Sequence, residues 1–419
     1  MIILATALIT IAATLIVMNL MSGEKKIERA IPRLYSVHDL QFRRVMGMLL
    51  GPAIVSGNKV EVLLNGDEIF PSMLQAIHAA RQTITFETYI YWSEVTGRQF
   101  ATALSERAKA GVKVHVLLDW LGSSKMDSAS LATMEQAGVE IRRFHAPRWY
   151  NLGRLNNRTH RKVLIVDGSI GFTGGVGIAD QWTGKAQDPD HWRDTHFRVE
   201  GPVVGQMQTV FMDNWVKATG SILHGVEYFP ALAPVGDSAA QMFSSSPSGG
   251  SDSMQLMYLL AITAAEHSIY LSSAYFVPDA LTLRTLVDAA RRGVRVQIIT
   301  PGAHMDADTV REASRAHWGD LLTAGAEMHE YQPTMFHCKV MIVDELLVSV
   351  GSTNFDNRSF RLNDEANLNV YDEVFARQQI GIFSDDLKRS RRITLEDWQS
   401  RPLREKVVEH VASLLDAQL

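Results

Sequence analysis

One short pattern occurs twice in this chain, and it constrains the fold more than any other feature. His160-Arg161-Lys162-Val163-Leu164-Ile165-Val166-Asp167 and His337-Cys338-Lys339-Val340-Met341-Ile342-Val343-Asp344 share a histidine, a lysine two residues on, four apolar residues and an aspartate. Gly174-Gly175 follows the first copy and Gly351-Ser352-Thr353-Asn354 the second, at the same distance. A run such as Val340-Met341-Ile342-Val343 reads as a buried strand. Residues i and i+2 of a strand share a face, so His337 and Lys339 project together while Cys338 points away as an inert apolar filler. Asp344 has the opposite parity from His337 and anchors the strand end. A lone His-x-Lys says little. Two copies with the same spacing and filler point to a duplicated functional unit.

The duplication extends beyond the motif. Ala289-Ala290-Arg291-Arg292-Gly293-Val294-Arg295-Val296 repeats Arg107-Ala108-Lys109-Ala110-Gly111-Val112-Lys113-Val114, and Ala324-Gly325-Ala326-Glu327 repeats Ala137-Gly138-Val139-Glu140. The run from Ile269 takes the place of that from Ile84. Charged strands from Asp194 and from Glu365 follow the two motifs at equivalent places. Strands alternating with helical periods indicate an α/β fold with a parallel-rich sheet. The Pro-, Ser- and Gly-rich stretch between Pro230 and Gly250 reads as the connection. The expected units are therefore 1–22, 23–57, a first α/β domain over 58–229, a linker over 230–250, and a second domain with a C-terminal helix over 251–419.

With 419 residues, each half is long enough to bury its own core, and a net charge of −5 does not suit a general nucleic-acid binder. One cysteine excludes an internal disulfide framework and a cysteine-rich zinc site. Met1 to Met21 is almost wholly apolar and long enough to cross a bilayer as a helix. No basic residue precedes it and no small-x-small site follows it, which favours a retained anchor over a cleaved signal peptide. Lys25, Lys26, Arg29 and Arg33 follow it, so the positive-inside rule puts the body of the protein in the cytoplasm. The segment Leu40 to Leu50 reads as an amphipathic helix, lying on lipid or packed on the domain.

If the two halves pack about a pseudo-twofold axis, both histidines and both lysines converge. That set suits phosphodiester chemistry without a metal or other cofactor: one imidazole attacks phosphorus, the other serves as acid and then base, and the ammonium groups neutralise the phosphate oxygens. Ser352 and Asn354 add donors for phosphate. Asp194 and Glu365 are placed to accept from the second ring nitrogen of each histidine and hold its tautomer. Asp167 and Asp344 read as strand-end acceptors. His78, His115, His224 and His304 read as satisfied polar residues, and Trp92, Tyr275 and Phe276 as core.

These residues resemble the phospholipase D superfamily, whose mark is a doubled His-x-Lys-x4-Asp-x6-Gly-Ser/Gly, and within it the bacterial cardiolipin synthases. Supporting segments are Asn65-Gly66-Asp67-Glu68, Trp192-Arg193-Asp194-Thr195-His196, Tyr275-Phe276-Val277-Pro278-Asp279 and the run from Gly351 to Phe360. The resemblance implies two similar α/β domains in a pseudo-twofold arrangement with the active site at their junction, preceded here by a transmembrane helix. It implies catalytic positions at His160, Lys162, Asp167, His337, Lys339 and Asp344. The implied reaction moves a phosphatidyl group from phosphatidylglycerol to a second phospholipid through a phosphohistidine and releases glycerol. Hydrolysis to phosphatidic acid, or a nuclease of the same superfamily, are the alternatives. The implied partners are phospholipids and the inner membrane of a bacterial cell, with no protein partner indicated. Gly177 departs from the pattern, standing where the second copy has Asn354.

Overall fold

A computed structural model describes residues 2–20, 27–144, 146, 156–247 and 253–416. Among them, sixteen strands form one sheet: fifteen lie along a path whose two halves repeat a strand order, and the sixteenth, Arg158–Thr159, pairs off that path with Asn363–Tyr371. From the middle outward, the first half runs Val55–Leu64, Thr195–Glu200, Ile170–Gly174, Val163–Val166, Thr83–Thr88, Lys113–Asp119 and Glu140–Phe144. The second runs Ser238–Ser245, Asn363–Tyr371, Leu347–Gly351, Lys339–Val343, Ser268–Ser273, Arg295–Pro301, Glu327–Tyr331 and Ser390–Ile393. The halves join edge to edge where Val55 and Asn58 pair with Ala240 and Ser238.

The runs Val163–Val166 and, after Lys339, Val340 to Val343 are apolar throughout because both faces of these strands are covered. Helices Asn65–Ala79 and Val95–Lys109 contribute to the core on one face of the first half, while Ser253–Ala264 and Ala280–Arg291 do so in the second. The opposite faces of both halves share one core, filled by Val204–Thr219 and Glu373–Lys388. Val163, Ile165, Val340 and Ile342 all point into it, so the two motif strands are packed against one another's environment and their ends are held in register.

One expectation changes. Ser238–Ser245, inside the stretch read as a linker, is a strand with a long antiparallel ladder to Glu365–Tyr371. Its composition, SAAQMFSS, lacks the β-branched residues that signal a strand, and pairing on both sides supplies what propensity does not. Ile2–Leu20 form a 19-residue helix, but several of its side chains lie outside the described residues. Among the described residues no helix is long and apolar enough to cross a membrane. The anchor expected over 1–22 rests on sequence alone. Helix Leu40–Leu50 buries Phe42, Met46 and Leu50 against the second-half core and leaves Leu40, Met48 and Leu49 exposed.

Candidate active site

His160 and His337 sit immediately before their motif strands, and each is tied to the opposite half by its own backbone. His160 N–H donates to the Asp364 carbonyl at 2.9 Å, and His337 N–H to the Arg193 carbonyl at 2.7 Å. The next residue on each accepting strand is the carboxylate expected to orient a histidine, and the pairing crosses between halves. Nδ1 of His160 lies 3.0 Å from Glu365 Oε1, and Nδ1 of His337 lies 2.7 Å from Asp194 Oδ2. These partners assign the proton to Nδ1 and leave Nε2 for a ligand. Lys162 and Lys339 each donate to the carbonyl of their own histidine, at 2.7 and 2.6 Å.

The repeated glycine makes this approach possible. A Cβ at Gly351 would stand 2.3 Å from the Ala366 carbonyl, and one at Gly174 would stand 2.7 Å from that of Thr195. Beyond the glycine, the halves hold their carboxylates differently. In the second, Ser352 Oγ donates to Glu365 Oε2. In the first, a Cβ at Gly175 would meet the Asp194 carboxylate at 2.4 Å. The shorter aspartate lies against that glycine and takes its extra donor from Trp182 Nε1 at 3.1 Å. Gly177 is explained in the same way: a Cβ there would be 2.8 Å from Ile90 Cβ and 3.1 Å from the Trp182 ring. The indole fills the space an asparagine would need.

Burial sets the charge state. It pulls His160 down to about 4, against the pull of Glu365, and with Lys339 it pulls His337 down to about 3. Both imidazoles are neutral at pH 7. Burial alone would raise Glu365 and Asp194, but their histidines and the lysines hold both carboxyls below the usual range. Burial also lowers both lysines, Lys162 to about 7. Cys338 is buried and its thiol is pushed up to about 12 by burial, which fits an unreactive filler.

The two histidines face one cavity of about 450 Å³, which Lys162 and Asn354 also line. Trp182 and Trp192 wall the His337 ring, each with centroids 5.3 Å away, while Tyr89 meets His160 edge-on at 5.3 Å. Asn354 Oδ1 is buried without a hydrogen-bond partner among the described residues; the donor that Asn354 can offer a phosphate oxygen is its NH2. Trp92 and Tyr275, read from sequence as core, line the cavity as well; Phe276 is core. Aromatic type cannot separate a cavity wall from a core position.

Six predicted residues do not line the cavity: Asp194, Glu365 and Lys339 are bonded to the histidines, and Ser352, Asp167 and Asp344 are placed elsewhere. Ser352 is fully buried, with its hydroxyl committed to Glu365. Asp167 accepts from the backbone N–H of Arg81, Gln82 and Thr83, and Asp344 from those of Glu266, His267 and Ser268. Both carboxylates sit at the far end of the motif strand, about 16 Å from its lysine at 3.3 Å per residue. Sequence reasoning missed Trp182, which has no counterpart in the second half. It also missed Arg161, whose buried guanidinium donates to the Val210, Ser245 and Glu365 carbonyls, and Arg193, which grips Asp386 through two 2.9 Å bonds. Both arginines tie one half to the other. Among the described residues, no cluster of histidine, cysteine and carboxylate side chains is arranged to hold a metal ion.

The family described as "Cardiolipin synthase, PLD-like domain" matches residues 73–215 and 258–387. A cardiolipin synthase of Geobacillus sp. (strain WCH70) is 37% identical over 374 residues, 88% of this chain and 74% of its own length. Cardiolipin synthase 2 of Bacillus anthracis is 34% identical over 401 residues, 95% of this chain and 77% of its own. Among solved structures, phosphatidylserine synthase of Haemophilus influenzae Rd KW20 superimposes with a TM-score of 0.66 at 12% identity, covering 90% of this chain and all of its own. That last likeness concerns the fold. With the doubled motif around one cavity, the chain belongs to the cardiolipin synthase family of phospholipase D-like proteins.

Proposed function

We propose that this chain is a phosphatidyltransferase that makes cardiolipin from two molecules of phosphatidylglycerol. One neutral imidazole attacks phosphorus through Nε2, and the bond from phosphorus to the headgroup glycerol oxygen breaks. The other histidine, protonated once the phosphodiester's negative charge has entered the cavity, delivers its proton to that oxygen. The hydroxyl of a second phosphatidylglycerol then returns a proton to this histidine and its oxygen attacks phosphorus, breaking the phosphorus–nitrogen bond. Asp194 and Glu365 hold both rings with Nε2 toward phosphorus and stabilise the imidazolium when it forms. Lys162 and the Asn354 NH2 donate to the non-bridging oxygens, and the buried Lys339 ammonium, bonded to the His337 carbonyl, adds positive charge to the site. The observation that carries the reading is the crossed pairing of His160 with Glu365 and His337 with Asp194 around one cavity. It makes the site a joint product of the two halves, proposed as domains over 58–229 and 251–419 related by a pseudo-twofold axis.

We place the enzyme at the inner membrane of a bacterial cell, held by Ile2–Leu20, with its body on the cytoplasmic side. The basic residues that follow that helix support this orientation. Leu40, Met48 and Leu49, exposed beside Arg43 and Arg44 on helix Leu40–Leu50, support a lipid contact. The test is incubation of the full chain and of a His337→Ala variant with labelled phosphatidylglycerol. Cardiolipin and glycerol from the unmodified chain alone support the reading. Phosphatidic acid as the main product replaces it with a hydrolase.

A further inference from the structure

The cavity wall holds two carboxylates that the phosphoryl chemistry does not use: Asp356 is buried and caps helix Asn357–Arg361 through the Ser359 N–H, which leaves Asp306 without a structural task of that kind. Asp306 lies in the loop between strand Arg295–Pro301 and helix Asp308–Ala316 and lines the same cavity as both histidines. Its two oxygens each lie 2.8 Å from the Tyr275 hydroxyl, which therefore fixes the carboxylate plane. No lysine or arginine lies within ion-pair distance of it among the described residues; Lys339 attracts it from farther off, and Lys125, Arg158, Lys162 and Arg358 share the cavity wall. Those cations suit a phosphodiester. A carboxylate repels it.

A group that opposes phosphate binding must serve another part of the ligand, one that offers hydrogen-bond donors. An ionised carboxylate has about four acceptor positions on its two oxygens. Tyr275 supplies a single proton, so both oxygens keep capacity for two adjacent donors. The glycerol headgroup of phosphatidylglycerol presents a vicinal diol. In the first half-reaction that diol departs with the ester oxygen, opposite the nucleophilic histidine, and both its hydroxyls are free to donate. We infer that Asp306, oriented by Tyr275, is the diol-binding residue that selects a glycerol headgroup as the leaving group. The assignment rests on the phosphatidyltransferase reading and names a selectivity determinant within it.

The test compares the full chain with its Asp306→Asn and Tyr275→Phe variants on two donors. One is phosphatidylglycerol; the other is phosphatidyl-p-nitrophenol, whose leaving group carries no diol. Loss of two hydrogen bonds to a charged acceptor predicts that Asp306→Asn lowers the ratio of kcat/KM, phosphatidylglycerol over p-nitrophenyl donor, by about 30-fold or more. The loss falls mainly in KM. Tyr275→Phe moves the ratio the same way by about three- to tenfold, because the carboxylate remains but loses its restraint. Equal changes with both donors assign Asp306 a structural role and overturn the inference, as does an unchanged ratio. Phosphatidylethanolamine preferred over phosphatidylglycerol by the parent, and lost in Asp306→Asn, reassigns the site to an ammonium group. A parent chain that releases p-nitrophenol yet turns over no phosphatidylglycerol defeats the transferase reading itself.

Discussion

Asp194→Asn isolates the contribution of the crossed pairing. Asp194 accepts three N–H donors: His337 Nδ1 at 2.7 Å and Trp182 Nε1 at 3.1 Å on Oδ2, and the Thr195 backbone at 2.8 Å on Oδ1. An asparagine has one oxygen to offer. If its NH2 faces Thr195, two donors oppose each other at the backbone. If it faces His337 and Trp182, the imidazole proton is driven to Nε2, the atom that must stay free, and the indole loses its acceptor. A hydrogen bond to a charged group contributes about 1.5–3 kcal/mol, and a buried donor left unmatched costs about 1–3. Together these give about 3–5 kcal/mol, or a 10²–10⁴-fold loss of glycerol release at about 1.4 kcal/mol per decade. The variant should fold, because the strand ladder to Val55–Leu64 does not involve this side chain. The assay is initial glycerol release from phosphatidylglycerol, with a thermal melt as the folding control. Residues that act as a unit are not additive, so adding Asp194→Asn to His337→Ala should cost less than about threefold more. A single-variant loss below tenfold, or full multiplication of the two losses, would refute the reasoning.

Two further outcomes follow from the site's geometry. Asp167→Ala removes the acceptor for three backbone N–H groups and leaves a non-glycine residue at φ +50°. It should lower the urea midpoint by the equivalent of about 1–3 kcal/mol while the rate per folded enzyme stays within about threefold. A folded variant without activity would put Asp167 in the chemistry after all. Burial, opposed by Glu365 and reinforced by Lys339, brings the Lys162 ammonium to about 7. The charge that meets the phosphate is present below that pH and lost above it. The kcat/KM for phosphatidylglycerol should thus fall as pH rises past about 7, by up to about tenfold per unit. Lys162→Arg keeps its charge and should move that fall to higher pH, and a profile identical to the parent's would show that another group titrates.

The motif strands were legible because their signal is local. Four apolar residues flanked by histidine and aspartate state strand, face and parity at once, and the repeat supplied the second copy. Parity also separated Asp344 from His337, and the backbone contacts of both motif aspartates agree with it. Other features depend on distant groups. That Asp194 serves His337 and not His160 follows from where strands of different halves meet, which spacing along the chain does not encode. The strand Ser238–Ser245 was hidden by its small polar residues, since its stability comes from ladders on both sides.

The departures from repetition carry more information than the repetition. Ser352 with Glu365 and Trp182 with Asp194 solve one problem in two ways: a buried carboxylate needs a second donor to keep its charge beside an imidazole. In the second half the donor comes from the motif itself and leaves room for Asn354 at the cavity. In the first it comes from an indole, which occupies the space above Gly177 and walls His337 together with Trp192. Restoring the missing side chains at Gly175 and Gly177 would therefore displace Asp194 and Trp182 together, and with them the support of the histidine in the other half. The sequence difference that looks like a loss in one copy is the condition for the carboxylate of that copy to reach across.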